Sequence, residues 1–274
     1  MKKVLILWWD GMLWNCLKKF FVQKKIEVQS TSRWWENNNI KFEINSDVIN
    51  QLQKLLSVNN FNYVINCIGD LKCENSYDAF YINSYFPHIL YQIADAYSIK
   101  VIHVSTNWVF SWKKWKYKPN DIPDELSLYW ISKYLWESFY SPHIIIRTSV
   151  IGIGGSWWIL ERFSNLPEKS EVVGYPNVLW NWVTTLTLSK IMFEIINNDL
   201  PINGIMHITS DIISKLDLIS LINEIYNKKF NILIDDSKIE NKTLFASSFQ
   251  VKYFQKILKP IKEQVKELKK FYKI

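Results

Sequence analysis

Residues 3–14 read K-V-L-I-L-W-W-D-G-M-L-W, and the fold is decided there. After Lys3, the residues from Val4 to Leu7 form a continuous apolar run, which is typical of a parallel strand covered on both faces. A segment with helical periodicity follows from Met12 to Lys24. Strand-like and helix-like segments then alternate up to about residue 150. This alternation predicts the α/β class, with a Rossmann-type doubly wound parallel sheet and helices on both of its faces.

The other elements are predicted from the same periodicities. Further strands are expected at 26–31, 40–44, 62–68, 99–104 and 144–147, and further helices at 46–57, 76–97 and 126–140. Ser46 is the expected N-cap of the helix at 46–57, and Pro87 could kink the helix at 76–97. After residue 150 the pattern loosens into helices at 184–197 and 216–227, a strand at 205–209 and a final helix within 259–273. We therefore expect a Rossmann domain at 1–150 and a smaller C-terminal α/β lobe at 151–274, with some segments returning to the first domain.

The composition is that of a globular protein, since 48% of the 274 residues are hydrophobic and 22% are charged. The net charge is +7, but the lysines are spread along the chain and no nucleic-acid-binding motif occurs, so we expect no nucleic-acid partner. The longest early apolar run is too short to span a bilayer, so we expect no membrane insertion. Three cysteines and four histidines show neither metal-site nor disulfide spacing. These features favour a cytoplasmic protein without a bound metal.

The first turn has tryptophan where a dinucleotide-binding turn needs glycine. In the G-x-x-G-x-x-G spacing, the three glycine positions are Trp8, Gly11 and Trp14. These glycines allow a tight turn, a close approach of the backbone to a pyrophosphate, and packing of the helix on the strand. A tryptophan at position 8 would fill the phosphate site, and Trp14 would push the helix off the sheet. The fingerprint is therefore degraded as it stands.

Glycine is scarce throughout the chain while tryptophan is abundant. The chain has 7 Gly and 14 Trp, whereas about 7% glycine would give roughly 19 in a chain of this length. Other tryptophans lie in hydrophilic, turn-like contexts at 33–36, 111–116 and 155–158. We hypothesise that most of them stand where the working protein has glycine, as when a UGA codon that encodes glycine is translated as tryptophan. UGG codons at positions 8, 9, 14 and 130 would contradict this, and the alternative is a protein with aromatic surface patches.

Two segments carry residues suited to carbonyl reduction. Residues 103–112 read H-V-S-T-N-W-V-F-S-W after the fifth predicted strand, and residues 129–133 read Y-W-I-S-K at the start of a helix. Tyr129 and Lys133 are four residues apart and share one helical face. A nearby ammonium favours the phenolate and should lower the pKa of Tyr129. Tyr129 could then give its proton to a carbonyl oxygen during hydride attack, while the Thr106 hydroxyl holds that oxygen.

With tryptophan read as glycine, residues 8–14, 105–112 and 129–137 become G-G-D-G-M-L-G, S-T-N-G-V-F-S-G and Y-G-I-S-K-Y-L-G-E. With these motifs the chain resembles the extended short-chain dehydrogenase/reductases, and among them the dTDP-4-dehydrorhamnose reductase family. The resemblance covers residues 1–150 well and continues more weakly through 147–149 and 181–185. It implies that Thr106, Tyr129 and Lys133 are catalytic.

The same resemblance implies the binding residues. The implied cofactor contacts are Trp8, Gly11, Met12, Leu13, Cys67, Ile68, Gly69, Tyr129 and Lys133. The implied substrate contacts are Thr106, Asn107 and Tyr129. The family commonly has Asp and then Tyr after the catalytic threonine, whereas this chain has Asn107 and Trp108, which leaves the sugar open.

The end of the second strand bears on the choice of cofactor. Residues 30–33 read S-T-S-R, with no acidic residue to select NADH. Arg33 could pair with a 2′-phosphate, so we expect Arg33 to bind cofactor and NADPH to be preferred, with NADH still usable. The alternative is a surface arginine in a turn.

The leading hypothesis is an NADPH-dependent reductase of a nucleotide-linked 4-keto-6-deoxysugar, in the synthesis of surface polysaccharide precursors. The lobe at 151–274 would bind mainly the nucleotide sugar, and the chain could form a homodimer. Two alternatives stay open, a nucleotide-sugar epimerase or dehydratase of the same superfamily and a non-catalytic NADP-binding regulatory subunit. An epimerase or dehydratase would recycle its cofactor, so net NADPH oxidation separates it from a reductase.

Four further residues are weighed. His103 lies in an apolar strand and is expected to be a packed core residue. Cys67 lacks an obvious base and is expected to pack rather than react. Asn83 could brace the loops of the site through backbone hydrogen bonds or lie on a helix surface. Arg147 could be buried and structural or could face the substrate.

Overall fold

A computed structural model describes residues 2–7, 11–33, 39–137, 142–154 and 159–274. The chain divides into two compact units. Unit 1 comprises residues 1–111, 122–147 and 192–206, and unit 2 comprises residues 112–121, 148–191 and 207–274. Because residues 192–206 belong to unit 1, the chain leaves the first unit and later returns to it.

The described strands and helices follow in chain order. The strands are β1 (Lys3–Leu7), β2 (Glu27–Ser32), β3 (Ile40–Lys41), β4 (Tyr63–Asn66), β5 (Lys100–Thr106), β6 (Ile144–Thr148), β7 (Val150–Ile151), β8 (Glu171–Gly174), β9 (Val178–Trp180), β10 (Val183–Thr184), β11 (Gly204–His207), β12 (Ile213–Ser214), β13 (Asn231–Ile234) and β14 (Glu240–Lys242). The helices are α1 (Met12–Gln23), α2 (Val48–Asn59), α3 (Ser76–Phe80), α4 (Phe86–Ala96), α5 (Leu128–Tyr134), α6 (Ile159–Asn165), α7 (Thr185–Asn197), α8 (Lys215–Tyr226), α9 (Ser248–Tyr253) and α10 (Ile261–Tyr272). A π-helical turn (Tyr81–Tyr85) joins α3 to α4, and a 3₁₀ turn (Asn107–Val109) follows β5.

Unit 1 is built on a seven-stranded sheet in the order β3-β2-β1-β4-β5-β6-β11. β1 pairs in parallel with β2 and β4, and the pairs β2–β3 and β4–β5 are also parallel. This confirms the predicted doubly wound α/β fold. The strand order reverses between β1 and β4, and ligands of such sheets bind at the carboxyl ends of the strands near that reversal.

The core of unit 1 explains why β1 is apolar along its length. Val4 to Leu7 are fully buried, as expected for a strand with helices on both sides. On α1, Leu17 and Phe21 are also fully buried, and the helix packs beside β2. Trp14 is only 7% exposed on the same helix. The expectation that Trp14 would push α1 off the sheet is therefore wrong, because the indole is accommodated in the packed face.

Several predicted boundaries differ from the structure. The helix expected at 46–57 begins at Val48 with Asp47 as its N-cap, so the assignment of the cap to Ser46 is wrong. The helix expected at 126–140 is α5 followed by a turn, and residues 138–140 lie outside the described residues. Pro87 lies in the first turn of α4, where proline is tolerated because its missing N–H has no helical partner.

Unit 2 has three small sheets, which pair β7 with β10, β8 with β13, and β9 with both β12 and β14. Its last helix, α10, buries Ile261, Val265 and Leu268 and leaves its lysines outward, as its apolar spacing predicts. Within the ranges that the structure describes, every helix is too short or too polar to cross a membrane.

Candidate active site

The turn after β1 meets the start of α1 at Gly11. Trp8 lies outside the described residues, so its predicted contact stays a prediction. Gly11 is the N-cap, with extended backbone at φ −107° and ψ 161°, and no side chain caps the helix. Met12 and Leu13 are 5% and 8% exposed, so their side chains belong to the core. Any contact that these three residues make with a phosphate must therefore come from their backbone N–H groups, which are oriented outward at a helix start.

Lys133 reaches from α5 to the segment that follows β4. Its Nζ atom donates to the Ile68 carbonyl oxygen at 3.4 Å, and the side chain is buried. A Cβ atom at Gly69 would lie 2.7 Å from this Nζ atom, so a larger residue at this position would require the lysine side chain to shift. Burial lowers the pKa of Lys133 to about 8, against the opposing effect of Glu137. The structure thus brings Lys133 together with two of the residues expected to contact the cofactor.

Tyr129 lies one turn before Lys133 on α5. Burial raises the pKa of its phenol, and the neighbouring Cys73 and Asp70 add to this effect. The predicted lowering of this pKa is wrong for the protein as described, because removal from water disfavours the phenolate. The raised pKa keeps a proton on the phenol, which a carbonyl reduction needs, but it also makes Tyr129 a weaker acid than a phenol in water.

Thr106 ends β5 and caps the 3₁₀ turn that follows. Its hydroxyl oxygen accepts a hydrogen bond from the Trp108 backbone N–H at 3.1 Å. That bond fixes the side-chain rotamer and leaves the hydroxyl hydrogen free to be donated. Asn107 is 2% exposed, and its predicted contact with substrate stays a prediction.

Asn83 braces the site, which confirms one of the two interpretations of this residue. It is fully buried in the π-helical turn. Its Oδ1 atom accepts from the Asp70 backbone N–H at 2.8 Å, and its Nδ2 atom donates to the Asp70 carbonyl oxygen and to Ser132 Oγ, each at 3.0 Å. Asn83 therefore ties the loop after Gly69 to the helix that carries Lys133. Sequence analysis missed the π-helical turn, which is a one-residue change of helical period.

The question left open for Arg147 has a clear answer. Arg147 is 1% exposed, and its guanidinium donates to Glu137 Oε2 from Nε at 3.0 Å and from Nη2 at 2.8 Å. The arginine is thus buried and paired. Glu137 was not singled out from the sequence, although it lies in the quoted segment 129–137.

His103 and Cys67 are packing residues, as expected. His103 is fully buried, its Nδ1 atom lies 3.0 Å from Asn66 Nδ2, and its ring lies 3.8 Å from that of Trp136. Burial holds the pKa of His103 well below its usual range. Burial also raises the pKa of Cys67 to about 12, which keeps the thiol protonated and unreactive.

Arg33 follows β2 on the exposed surface of unit 1. Glu43 and Asp70 are its electrostatic neighbours, and burial lowers its pKa slightly against their effect. Nearby, Asn39 Oδ1 accepts hydrogen bonds from Ser30 Oγ at 2.6 Å and from Lys18 Nζ at 2.9 Å. Among the described residues, the basic groups near the end of β2 are therefore Arg33 and, from α1, Lys18, with Glu43 and Asp70 as acidic neighbours of Arg33. Among the residues described, no group of three histidine, cysteine or acidic side chains could hold a metal ion.

Comparisons with known proteins identify a family and a shared fold. The family model for the RmlD substrate binding domain matches residues 1–229. A dTDP-4-dehydrorhamnose reductase from Clostridium acetobutylicum is 22% identical, with a TM-score of 0.81 over 99% of this chain and 100% of that one. The corresponding reductase from Bacillus anthracis, solved with NADP, is 17% identical, with a TM-score of 0.83 over 98% of each chain. No curated protein sequence matches the chain.

These likenesses confirm the resemblance drawn from the sequence motifs. The solved structures share the fold along nearly the whole chain, and the family model covers both the first turn and the Y-x-x-x-K segment. The chain belongs to the RmlD substrate binding domain family.

Proposed function

We propose that the protein is an NADPH-dependent reductase of a nucleotide-linked 4-keto-6-deoxysugar. The observation that carries the proposal is the arrangement around α5. There Lys133 Nζ contacts the glycine segment after β4, and a protonated Tyr129 lies one helical turn away. Membership of the family and the similarity to dTDP-4-dehydrorhamnose reductases support the choice of substrate class.

Each polar side chain has one role in the proposed reaction. When bound, the nicotinamide supplies the hydride. Thr106 donates its hydroxyl hydrogen to the ketone oxygen and orients it. Tyr129 gives that oxygen its proton, and the ammonium of Lys133 stabilises the phenolate that remains. The residues present fit the cofactor, since the start of α1 at Gly11 has no side-chain cap and Arg33 is exposed after β2, so both could meet phosphate groups.

The cofactor and the sugar are assigned to different parts of the chain. Unit 1 binds the dinucleotide at Gly11, Met12 and Leu13 through their backbone, and Arg33 pairs with the 2′-phosphate. Unit 2 binds the nucleotide sugar. We also propose that the protein is cytoplasmic, and a homodimer is the oligomeric state to be tested. Gel filtration with light scattering tests the dimer.

The test is NADPH oxidation with a dTDP-linked 4-keto-6-deoxysugar. Stoichiometric oxidation and a reduced sugar identified by mass would support the proposal. Tyr129→Phe should lower the rate by roughly 10²–10⁴-fold because the proton donor is lost. NADPH binding, measured by its fluorescence, should change little. A variant that retains nearly the full rate would refute the role of Tyr129.

An epimerase or dehydratase is the second candidate. A dTDP-glucose 4,6-dehydratase from Bacillus anthracis, solved with NAD, has the same fold, with a TM-score of 0.77 at 12% identity. Such an enzyme returns its hydride to the product, so a changed sugar without net NADPH consumption would favour it over the reductase.

A further inference from the structure

Three buried polar side chains beneath α5 form one connected group. Glu137 Oε2 accepts two hydrogen bonds from Arg147, at 2.8 and 3.0 Å, and Glu137 Oε1 accepts one from Ser105 Oγ. The three residues are 2%, 1% and 6% exposed, respectively. Both carboxylate oxygens are therefore hydrogen-bonded away from bulk water.

This group joins the elements that carry the reactive side chains. Ser105 immediately precedes Thr106 at the end of β5, and Arg147 lies on the neighbouring strand β6. Glu137 lies in the turn after α5, four residues beyond Lys133. One carboxylate thus connects the strand end that bears Thr106 to the segment that bears Lys133.

A buried ion pair is a poor device for stability alone. Removing two charges from water costs several kcal/mol, and apolar residues of similar volume often serve equally well. The effect of the pair on geometry is different. A carboxylate with three hydrogen bonds has a single orientation, so it holds the backbone segment that carries it in one position. The placement of this pair under two reactive groups therefore indicates a role in the reaction.

We propose that Glu137, held by Ser105 and Arg147, is a positioning residue that sets the distance between Thr106 and Lys133. This inference rests on the proposed reductase function. Glu137 acts through its neighbours and does not touch the substrate. Its charge also opposes the effect of burial on the Lys133 ammonium.

The effect of a substitution at Glu137 on the pKa of Lys133 depends on the other charged and titratable groups around Lys133. Glu137 follows it on the same segment, Cys67 and Cys73 act on it from the segment after β4, and His103 faces it from β5. Both thiols have raised pKa values, and His103 stays neutral. Glu137, itself paired with the cation of Arg147, is thus the carboxylate whose charge favours the protonated form of Lys133.

The first variant is Glu137→Gln, which retains the shape and removes the charge. We expect kcat to fall about 10- to 100-fold, as for a misplaced reacting group, with little change in KM for NADPH. We also expect the loss of rate at high pH to begin below the wild-type position, because the pKa of Lys133 falls further from about 8 when Glu137 is neutral. Glu137→Asp retains the charge, so it should lower kcat while leaving that pH limit in place.

Folding is checked with matched variants. Asp199→Asn is the control, because Asp199 also accepts a hydrogen bond from a buried partner, Tyr63, but at the opposite end of the sheet. It should change neither kcat nor the pH profile. If Glu137→Gln does not fold, Glu137→Met with Arg147→Met removes both charges together and should fold without the activity. A folded double variant with wild-type kcat would overturn the proposal.

A readout without substrate separates this inference from the proposed function. The pH dependence of Lys133 acetylation by acetic anhydride, followed by peptide mass, reports the ionisation of the amine directly. If wild-type protein reduces no sugar, the proposed function fails. A Lys133 profile that is the same in wild-type protein and in Glu137→Gln would contradict the proposal for Glu137 whether or not the sugar is reduced.

Discussion

Three polar side chains around α5 and the tryptophan near the start of α1 differ in how well their buried polar atoms are paired. Around α5, the side chains of Asn83, Ser132 and Glu137 all have hydrogen-bond partners. On α1, the indole N–H of Trp14 is buried and lacks a hydrogen-bond partner among the described residues. Buried indoles usually find one. The polar side chains around α5 thus have the partners that burial requires, whereas the indole of Trp14 is packed in the core with its N–H unpaired among the described residues.

The same contrast recurs at other tryptophans. Trp136 is buried, and within the described chain its indole nitrogen also has no hydrogen-bond partner. Trp112 has a φ of 64°, a left-handed conformation that is rare for a bulky side chain. These features are what a glycine position would show when occupied by tryptophan, and the substitution hypothesis remains a prediction.

The largest expected effect comes from removing the ammonium at the centre of the well-paired region. Lys133→Met should lower the reduction rate by roughly 10²–10⁴-fold, because the phenolate of Tyr129 loses its stabilising charge. The melting temperature should hold or rise, since burial already disfavours the charged amine and lowers its pKa to about 8. Enzyme assay and thermal unfolding measure the two effects.

A matched control exists on β5. Lys100 lies at the start of that strand, at the end opposite Thr106, and burial lowers its pKa as well. Lys100→Met should leave the rate unchanged. An equal loss of rate in both variants would mean that Lys133 acts only through folding.

The next prediction tests whether the hydrogen bonds around α5 affect the reaction rate as well as the stability of the fold. Asn83→Ala leaves the Asp70 backbone groups and Ser132 without their partner, which should cost about 1–3 kcal/mol of stability. Because α5 loses its link to the loop after Gly69, kcat should also fall about 10-fold or more. Chemical denaturation and steady-state kinetics give both numbers.

Asn181 in unit 2 is the matched residue. Its side chain donates to the Leu244 carbonyl oxygen at 2.8 Å and accepts from the Leu244 N–H at 3.1 Å, as Asn83 does with Asp70. Asn181→Ala should lose similar stability with a much smaller change in kcat. Equal losses of kcat in both variants would mean that Asn83 affects the rate only through the stability of the fold.

A smaller effect is expected at the end of β2, on the cofactor side. Arg33→Ala should weaken NADPH binding about tenfold or more and leave NADH binding nearly unchanged, because only NADPH has the 2′-phosphate. The ratio of kcat/KM for the two cofactors measures this preference. Lys54→Ala removes an exposed cation from α2 and should leave the ratio as it is. A preference for NADPH that persists without Arg33 would assign the phosphate to other residues.

The sequence predicted the sheet and the reactive residues because both depend on local patterns. The continuous apolar run of β1 and the four-residue spacing of Tyr129 and Lys133 are visible without tertiary information. The pairing of Glu137 with Arg147 was not, since it joins a turn to a strand and leaves no periodic signal. The pKa of Tyr129 was predicted in the wrong direction because spacing on a helix does not reveal desolvation. The N-cap of α2 is Asp47 and not Ser46, because both residue types favour the N-cap position and the two are adjacent in the sequence.

The smallest expected effect tests directly whether a tryptophan occupies a backbone position that favours glycine. Trp112→Gly and Trp112→Ala both remove the indole and its contact with Tyr117, whose ring lies 5.9 Å away. They differ only in the conformational free energy of a backbone φ of 64°, which is unfavourable for alanine but not for glycine. The glycine variant should therefore be more stable than the alanine variant by about 1 kcal/mol. In thermal unfolding this corresponds to a difference of roughly 2–4 °C. Equal melting temperatures would show that position 112 places no demand for glycine on the chain, and the backbone argument for the substitution hypothesis would be lost.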